Sequence, residues 1–260
     1  MSKIIPPHRA PLADRMRPTN LSEISGQEQV VGEASFLRDV IRKDSVPSLI
    51  LWGPPGCGKT TLARIIASET SAEFLELSGV GSGVGELRKA ILRAEKNRES
   101  GRRTILFIDE IHRWNKGQQD SLLPHVEEGL VTLIGATTEN PSFEVNASLL
   151  SRTRVVVLGK LEREAVSAIL SRAVSDNRGL KEKNLEIDQE TLRFIAEISG
   201  GDARHALNIL EACAASAETI TMELVGKIVS RSHLLYDKQG EQHYDVISAL
   251  HKSLRGGDAD

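Results

Sequence analysis

The sequence predicts an α/β fold in which a parallel sheet flanked by helices is followed by a smaller α-helical domain. Between residues 48 and 158, five short apolar runs alternate with helix-prone stretches, an order typical of a parallel sheet covered on both faces. The runs are Leu49 to Trp52, Phe74 to Leu77, Thr104 to Ile108, Val131 to Ala136 and Val155 to Leu158. After Gly159 the strand pattern stops, and apolar residues recur with helical spacing instead.

The helical part is expected to contain three or four amphipathic helices, near 162–177, 188–199, 202–217 and 221–231. We therefore divide the chain into a Pro- and Arg-rich extended arm over 1–20, an α/β domain over 21–159 and a helical domain over 160–232. Residues 233–260 are expected to begin a further helical region, with a helix from about His243 to Ser253.

The composition is that of an ordinary soluble protein, with 40% hydrophobic and 27% charged residues among 260. A net charge of −3 gives no global attraction to nucleic acid, and 3% aromatic residues disfavour a base-stacking platform. The two cysteines, Cys57 and Cys213, lie in separate segments, which indicates a reducing compartment. No apolar run reaches the length of a membrane span and the N-terminus lacks a signal-peptide core, so we expect a soluble, intracellular protein with no membrane partner.

The segment from Gly53 to Thr60 matches the phosphate-binding pattern G-x-x-x-x-G-K-[ST] and lies between a strand and a helix, as that pattern requires. Its glycines would let successive backbone N–H groups face one phosphate at the positive end of the helix. Lys59 would contact the β- and γ-phosphates, and the Thr60 hydroxyl would ligate Mg²⁺. The alternative is a tight turn with a solvated lysine. The candidate nucleotide-binding residues here are Gly53, Pro54, Pro55, Gly56, Cys57, Gly58, Lys59, Thr60 and Thr61.

An acidic pair, Asp109 and Glu110, directly follows the apolar run that begins at Thr104. In open α/β sheets, ligands bind beyond the C-terminal ends of the strands, which is where this pair would lie. Asp109 would share the magnesium with Thr60, and Glu110 would polarise the attacking water. Together with the phosphate loop, the pair predicts that the nucleotide is hydrolysed.

Further polar residues could sense the γ-phosphate. Thr138 follows the run that ends at Ala136 and is a candidate sensor, with Asn140 a weaker one; ordinary turn or capping chemistry is the alternative. Arg152 and Arg204 carry the planar, permanently charged group that stabilises a transferring phosphoryl group. Isolated arginines are also commonly solvated surface charges.

These motifs occur in the order found in AAA+ ATPases of the clamp-loader and Holliday-junction-motor clade, which the sequence resembles from about residue 11 to 258. Longer stretches resemble, more narrowly, the family of replication-associated recombination protein A and the Werner-helicase-interacting ATPases. They are Pro11 to Pro18, Ser48 to Gly53, Phe107 to Lys116, Ile134 to Phe143, Tyr236 to Glu241 and His243 to Arg255.

The resemblance implies a five-stranded P-loop AAA+ sheet, a helical lid, and ATP and Mg²⁺ as cofactors. At matching positions, Arg152 resembles the arginine finger that enters the site of a neighbouring subunit. Arg204 resembles the second sensor, which reaches the γ-phosphate from the lid. Gln27 lies in a segment that resembles the adenine-side wall.

The resemblance also implies a DNA-dependent Mg²⁺-ATPase that acts at stalled or gapped replication forks and on recombination intermediates. Its expected partners are forked, gapped or single-stranded DNA, further copies of the chain in a ring, and fork proteins such as a single-strand-binding protein or a helicase. The compartment would be the cytoplasm and nucleoid of a bacterium or the nucleus of a eukaryote.

Two other functions remain open at this point. Relatives continue beyond the Arg255 region into a C-terminal helical domain associated with tetramer formation, so the chain is expected to lack that domain. Without assembly it would be an ATP-gated DNA- or protein-binding module with little turnover. A clamp-loader subunit is the other alternative, against which the stretch from Tyr236 to Arg255 argues.

For the DNA contact, the residues named are Arg113 and Lys116, which follow the acidic pair closely. In an assembled ring they would face a central channel and touch phosphate. The alternative is that they are solvated residues at the start of a helix.

Overall fold

The centre of the molecule is a five-stranded parallel sheet, seen in a computed structural model that describes residues 10–236. Its strands are β1 (Leu49–Trp52), β2 (Glu73–Ser78), β3 (Thr104–Asp109), β4 (Thr132–Thr137) and β5 (Arg154–Val157). They lie in the order β2-β3-β4-β1-β5, and all four pairings are parallel. The predicted five-stranded sheet is therefore confirmed.

Helices flank the sheet and form the last third of the described chain. Those up to β5 are α1 (Leu12–Arg15), α2 (Glu28–Val31), α3 (Phe36–Arg42), α4 (Lys59–Glu69), α5 (Val84–Glu99), α6 (Lys116–Asp120), α7 (Leu123–Glu127), α8 (Pro141–Glu144) and α9 (Ala147–Leu150). Those after it are α10 (Arg163–Ser175), α11 (Gln189–Ile198), α12 (Ala203–Ser216) and α13 (Met222–Tyr236). The C-terminal helical region is confirmed.

The central strands β1, β3 and β4 are buried on both faces, which explains why they are apolar runs rather than alternating ones. Successive side chains point to opposite faces, so Leu49 and Leu51 enter one core cluster while Ile50 enters the other. In β3, Phe107 and Ile108 divide in the same way, and both are fully buried. With two packed faces, the sheet holds the C-terminal ends of its strands as a fixed edge.

The helices after β5 enclose a separate apolar cluster that includes part of the predicted extended arm. Residues 12–15 are helical rather than extended, and Leu12 and Met16 are buried at 0% and 1% exposure in the cluster of α10 to α12. The backbone N–H of Leu12 donates to Glu211 Oε1 at 2.9 Å, and Arg15 Nη1 donates to the carbonyl oxygens of Arg178 and Gly179. Four residues carry too little helical signal to reveal this turn, which is stabilised by distant contacts.

The absence of strands after Gly159 was also a wrong prediction. Two short parallel strands, β6 (Glu186–Ile187) and β7 (Thr219–Ile220), pair beside the helices. Strands of two residues are too short to have a recognisable period. The predicted helix from His243 to Ser253 lies outside the described residues, and the division into domains stays a prediction. Within 10–236, no helix has the length and apolar content needed to cross a membrane.

Candidate active site

The phosphate loop lies between β1 and α4, and its glycines take conformations that other residues rarely adopt. Gly56 has φ 67° and Gly58, the residue before α4, has φ 103°. A Cβ on Gly56 would lie 1.9 Å from Asp202 Oδ1, and one on Gly53 would lie 2.4 Å from the Leu158 carbonyl oxygen. Gly53 and Gly56 are therefore required by neighbouring chain segments, and Gly56 is required by its backbone conformation as well.

Lys59 begins α4 and folds back across the loop. Its side chain is almost fully enclosed, and its Nζ donates to the carbonyl oxygens of Gly53 at 2.7 Å and Pro54 at 2.8 Å. An ammonium group has three N–H donors, so one donor is left for a phosphate oxygen while the other two fix its position. The carbonyl oxygens of the phosphate loop thus orient the Lys59 side chain, which would bind a phosphate in the same loop.

Cys57 is the buried thiol of the same loop, with 2% exposure. Burial raises the pKa of the thiol, and the nearby Lys59 ammonium only partly opposes this. A raised pKa keeps the thiol neutral and weakly reactive near neutral pH. This favours a small packing residue over a redox-active one.

At the end of β3, the acidic pair enters the same pocket. Asp109 and Glu110 are half-buried, and both line the cleft beside the loop. Glu110 has φ 53° and ψ 48°, a left-handed conformation that costs a non-glycine residue on the order of 1–3 kcal/mol. The conformation turns the chain sharply after the strand, so that the 3₁₀ turn Ile111–Arg113 folds over the end of the sheet.

Thr138 lines the pocket from the end of β4, the central strand between β3 and β1. The preceding residue, Thr137, is fully buried, and its carbonyl oxygen accepts the N–H of Gly53 at 3.2 Å. This bond joins the end of β4 to the first residue of the phosphate loop. The candidate sensor and the loop therefore sit on one rigid edge.

Gln27 forms a wall of the pocket through backbone contacts. It is 1% exposed, and its Nε2 donates to the carbonyl oxygens of Cys57 at 3.3 Å and Gly159 at 2.8 Å. Its Oε1 accepts the N–H of Gly159 at 3.2 Å. Gln27 thus ties the phosphate loop to the connection that leads into α10.

The helices after β5 close the other side of the pocket. Arg204 lies in the first turn of α12 and lines the cleft, while Asp202 caps that helix by accepting the His205 N–H at 2.9 Å. Because Asp202 Oδ1 lies against Gly56, the N-terminus of α12 meets the phosphate loop directly. Sequence reasoning identified Arg204 but not this contact.

Arg172 of α10 is a further residue of the pocket, and the sequence pattern did not identify it. It lines the pocket and donates to the carbonyl oxygens of Glu23 at 3.1 Å and Met16 at 3.5 Å. Burial alone would raise the pKa of the Glu23 carboxyl, but Arg178 and Thr19 hold it below its ordinary value. Nothing around a lone arginine in a predicted amphipathic helix indicated these contacts.

The structure brings most of the predicted site residues into one cleft. Among its lining residues are Gln27, Pro55, Gly56, Cys57, Gly58, Lys59, Thr60, Thr61, Asp109, Glu110, Thr138 and Arg204. Gly53 and Pro54 lie beneath it and hold Lys59. Thr60 and Asp109 supply oxygen donors of the kind that Mg²⁺ prefers, with phosphate and water left to complete its coordination. This donor set fits a magnesium ion bound together with a nucleotide.

Of the other predicted residues, Arg152, Arg113 and Lys116 do not line the cleft, and Asn140 caps α8 by accepting the Ser142 N–H at 3.0 Å. Arg152 follows α9 at the surface, where its Nε forms an ion pair with Glu127 and its Nη1 donates to the Ser148 carbonyl oxygen at 2.8 Å. Arg113 and Lys116 are exposed on the turn after β3 and at the start of α6. Arg113, Lys116 and Arg152 are therefore not among the residues that line the cleft of their own chain.

Comparison with known proteins finds two family matches. Residues 49–161 match the ATPase family associated with various cellular activities (AAA), and residues 181–255 match the AAA C-terminal domain. The chain is 49% identical to replication-associated recombination protein A of Escherichia coli (strain K12), over 96% of this chain and 58% of that protein. It is 43% identical to the ATPase WRNIP1 of Dictyostelium discoideum, over 96% of this chain and 31% of that protein.

Among solved structures, the chain is similar to the Thermotoga maritima RuvB Holliday junction branch migration motor. The TM-score is 0.66 at 27% identity, and the match covers 93% of this chain and 88% of that one. The chain spans little more than half the length of the curated bacterial relative from Escherichia coli. These matches and the cleft around Lys59 and Glu110 agree with the enzyme class predicted from the sequence, an ATP hydrolase. The chain belongs to the AAA+ ATPases, in the group that contains replication-associated recombination protein A and the ATPase WRNIP1.

Proposed function

We propose that the chain is a DNA-dependent, Mg²⁺-requiring ATPase that remodels replication and recombination intermediates, such as stalled or gapped forks. The observation that carries the proposal is the convergence of Lys59, Asp109, Glu110, Thr138 and Arg204 on one cleft. The names of its relatives, which refer to replication-associated recombination and to Holliday junction branch migration, support the choice of substrate.

In the proposed site, the phosphate loop binds the nucleotide through its backbone and Lys59. The remaining N–H of Lys59 Nζ donates to an oxygen between the β- and γ-phosphates, while the carbonyl oxygens of Gly53 and Pro54 accept the other two N–H groups. Thr60 and Asp109 would hold a magnesium ion, which would neutralise charge on the phosphates. Since these groups are placed before the nucleotide arrives, little rearrangement opposes the reaction.

Hydrolysis then requires a positioned water. Glu110 polarises that water and accepts its proton, and Thr138 at the end of β4 orients it or the γ-phosphate through its hydroxyl. Arg204 approaches the γ-phosphate from α12. Because α12 also touches Gly56 through Asp202, the state of the γ-phosphate affects the lid and the phosphate loop together.

The proposed finger, Arg152, acts on a neighbouring chain. It lies outside its own cleft, and its side chain is 42% exposed, so a second copy can reach it. A guanidinium supplied in trans neutralises charge that develops on the transferring phosphoryl group. Under this proposal a complete site is formed by two chains.

The DNA surface is proposed to include Arg113 and Lys116. Both are exposed and lie just beyond the end of β3, close in sequence to Glu110. Phosphate contacts from such residues release counterions, which makes DNA binding sensitive to salt. Their position after the acidic pair would let DNA binding affect the catalytic edge.

The test is the ATPase rate as a function of protein concentration, with and without forked DNA. The ATPase rate per chain is expected to rise with protein concentration and with added DNA. Glu110→Gln should abolish ATP turnover under all of these conditions. Replacing Arg113 and Lys116 with alanine should reduce DNA stimulation and flatten its salt dependence, with basal turnover retained. Arg42→Ala with Lys43→Ala removes the same charge at the end of α3 and serves as the control. Equal DNA stimulation in the two double variants would contradict the proposed DNA surface.

A second function is favoured by the ion pair between Arg152 and Glu127. If chains do not associate, that arginine stays on its own surface and the cleft lacks a finger. The chain would then be a nucleotide-gated binding module with little turnover. Sedimentation with and without ATP separates the two functions, since a monomer whose slow turnover is unaffected by Arg152→Ala supports the module.

A further inference from the structure

The segment after Glu110 brings a histidine back onto the catalytic carboxylate. His112 Nε2 lies 3.2 Å from Glu110 Oε2, and the imidazole is 8% exposed whereas the Glu110 side chain is 33% exposed. On its other side, His112 Nδ1 lies 2.9 Å from Thr137 Oγ1. The imidazole therefore bridges the end of β3 and the end of β4.

The backbone of Glu110 is held independently of this bridge. A Cβ on Gly79 would lie 2.1 Å from the Glu110 carbonyl oxygen, so the end of β2 passes against it with no space to spare. The Glu110 carbonyl oxygen also accepts the N–H of Arg113 at 2.9 Å. With the main chain fixed in this way, the direction of the carboxylate depends on its side-chain contacts, and within residues 10–236 the polar contact of the Glu110 carboxylate is with His112.

The heavy-atom distances around His112 favour one arrangement of the protons. The Thr137 hydroxyl accepts the Glu139 N–H at 3.0 Å and lies closer to His112 Nδ1 than to the Glu139 carbonyl oxygen, at 3.3 Å. If the hydroxyl donates to Nδ1, the imidazole carries its proton on Nε2 and donates it to the carboxylate. The opposite tautomer would place an unprotonated nitrogen against a carboxylate, which is unfavourable.

Thr137 links this bridge to the rest of the site. It is 0% exposed, its carbonyl oxygen accepts the Gly53 N–H, and it directly precedes Thr138. A displacement of the end of β4, where the γ-phosphate is proposed to be sensed, would therefore act on His112 and through it on Glu110.

We propose that His112 is a positioning residue, which orients the Glu110 carboxylate and couples it through Thr137 to the sensing end of β4. The inference rests on the proposed role of Glu110 in hydrolysis. His112 does not contact the nucleotide in this account, because its two ring nitrogens are occupied by Glu110 and Thr137. Its loss should lower the rate of the chemical step and leave nucleotide affinity unchanged.

The experiment measures kcat, KM for ATP and nucleotide affinity in the 260-residue chain. His112→Ala should lower kcat roughly 10- to 100-fold, the range for a misplaced general base, with affinity within about 2-fold of the parent. Thr137→Val, which removes the hydroxyl at similar shape, should lower kcat less, and Thr137→Ser should retain it. The double variant His112→Ala/Thr137→Val should match His112→Ala, since Thr137 acts through the imidazole. His125→Ala, on α7, is the control for loss of a histidine.

Glu110→Gln is measured in parallel to separate the two proposals. If Glu110→Gln abolishes turnover while His112→Ala retains the parent kcat, the positioning role is wrong and the proposed function stands. Losses that multiply in the double variant, or a fall in affinity as large as the fall in kcat, also overturn it. If His112→Ala does not fold, the positioning role is tested by the Thr137 variants instead. Equal kcat values for Thr137→Ser and Thr137→Val would then overturn it. Full turnover in Glu110→Gln would overturn both proposals.

Discussion

The phosphate loop, from Gly53 to Thr60, and the surface around Arg152 differ in how deeply the chain buries their charged side chains. Lys59 is 7% exposed and held by two carbonyl oxygens, and Gly56 lies against Asp202 of the lid. Arg152 is 42% exposed, and its partner Glu127 is 46% exposed. The candidate nucleotide cleft is thus organised within one chain, whereas the proposed finger, Arg152, lies at the surface, where a second chain could reach it.

The largest effect is expected from a substitution in the buried phosphate loop. Gly56→Val should abolish measurable nucleotide binding, because a Cβ there would lie 1.9 Å from Asp202 Oδ1 and the residue has φ 67°. Titration with a fluorescent nucleotide would measure the loss. Gly85→Ala, on α5, has open space around its Cβ and should bind as the parent does. Parent-like affinity in Gly56→Val would show that the lid does not rest on the loop.

The next largest effect is expected from removing the exposed guanidinium of Arg152. Arg152→Ala should lower turnover by about 10³-fold or more at concentrations where chains associate, the range measured for arginine fingers, with nucleotide affinity nearly unchanged. Arg163→Ala is the control, because Arg163 is 54% exposed and also has a neighbouring carboxylate, Glu164. An equal loss in dilute, monomeric protein would mean that Arg152 acts within its own chain.

A smaller effect is expected from breaking the ion pair between Arg152 and Glu127. Glu127→Gln should raise turnover in the associated state by less than about 5-fold, since an exposed ion pair stabilises by about 0.2–1 kcal/mol. The physical reason is competition, because the carboxylate holds the guanidinium that a neighbour's phosphate would otherwise attract. Steady-state ATPase assays of Glu127→Gln and of Glu127→Gln/Arg152→Ala test this. A gain that persists without Arg152 would contradict it.

The smallest effect concerns how closed the loop is. Since the pKa of the Cys57 thiol is raised, alkylation by iodoacetamide should be slow at about pH 7.5 and should accelerate as pH rises past 9. Cys213, whose pKa is raised to about 11 by burial, provides an internal reference that reacts later. Peptide mass spectrometry resolves the two sites. Rapid labelling of Cys57 near neutral pH would indicate an open loop.

The parts predicted well from sequence are those in which chemistry and local structure coincide. The loop from Gly53 to Thr60 has a fixed spacing between a strand and a helix, and Asp109 and Glu110 follow an apolar run directly. The centre of the sheet could be predicted because β1, β3 and β4 are buried on both faces and are therefore almost entirely apolar. In each case the signal lies within a few consecutive residues.

The parts that were missed depend on distance along the chain. His112 is two residues after Glu110, but its other partner, Thr137, is 25 residues away, and no spacing rule connects them. Asp202 meets Gly56 only because α12 folds over the loop, and Arg172 contacts the carbonyl oxygens of Met16 and Glu23 across more than a hundred residues. Such contacts arise from tertiary packing, which one sequence does not reveal.

The short helix α1 has a consequence for how the protein is made. Leu12 and Met16 lie in the cluster of α10 to α12, and the Leu12 N–H bonds a residue 199 positions away. During synthesis, α1 is made before α10 to α12, so its apolar side chains can join this cluster only after those helices have been made. A fragment that begins after β5 would expose the apolar surface that α1 covers. This cluster is therefore completed by segments that lie on either side of the sheet in the sequence, and the nucleotide cleft is lined by residues of both.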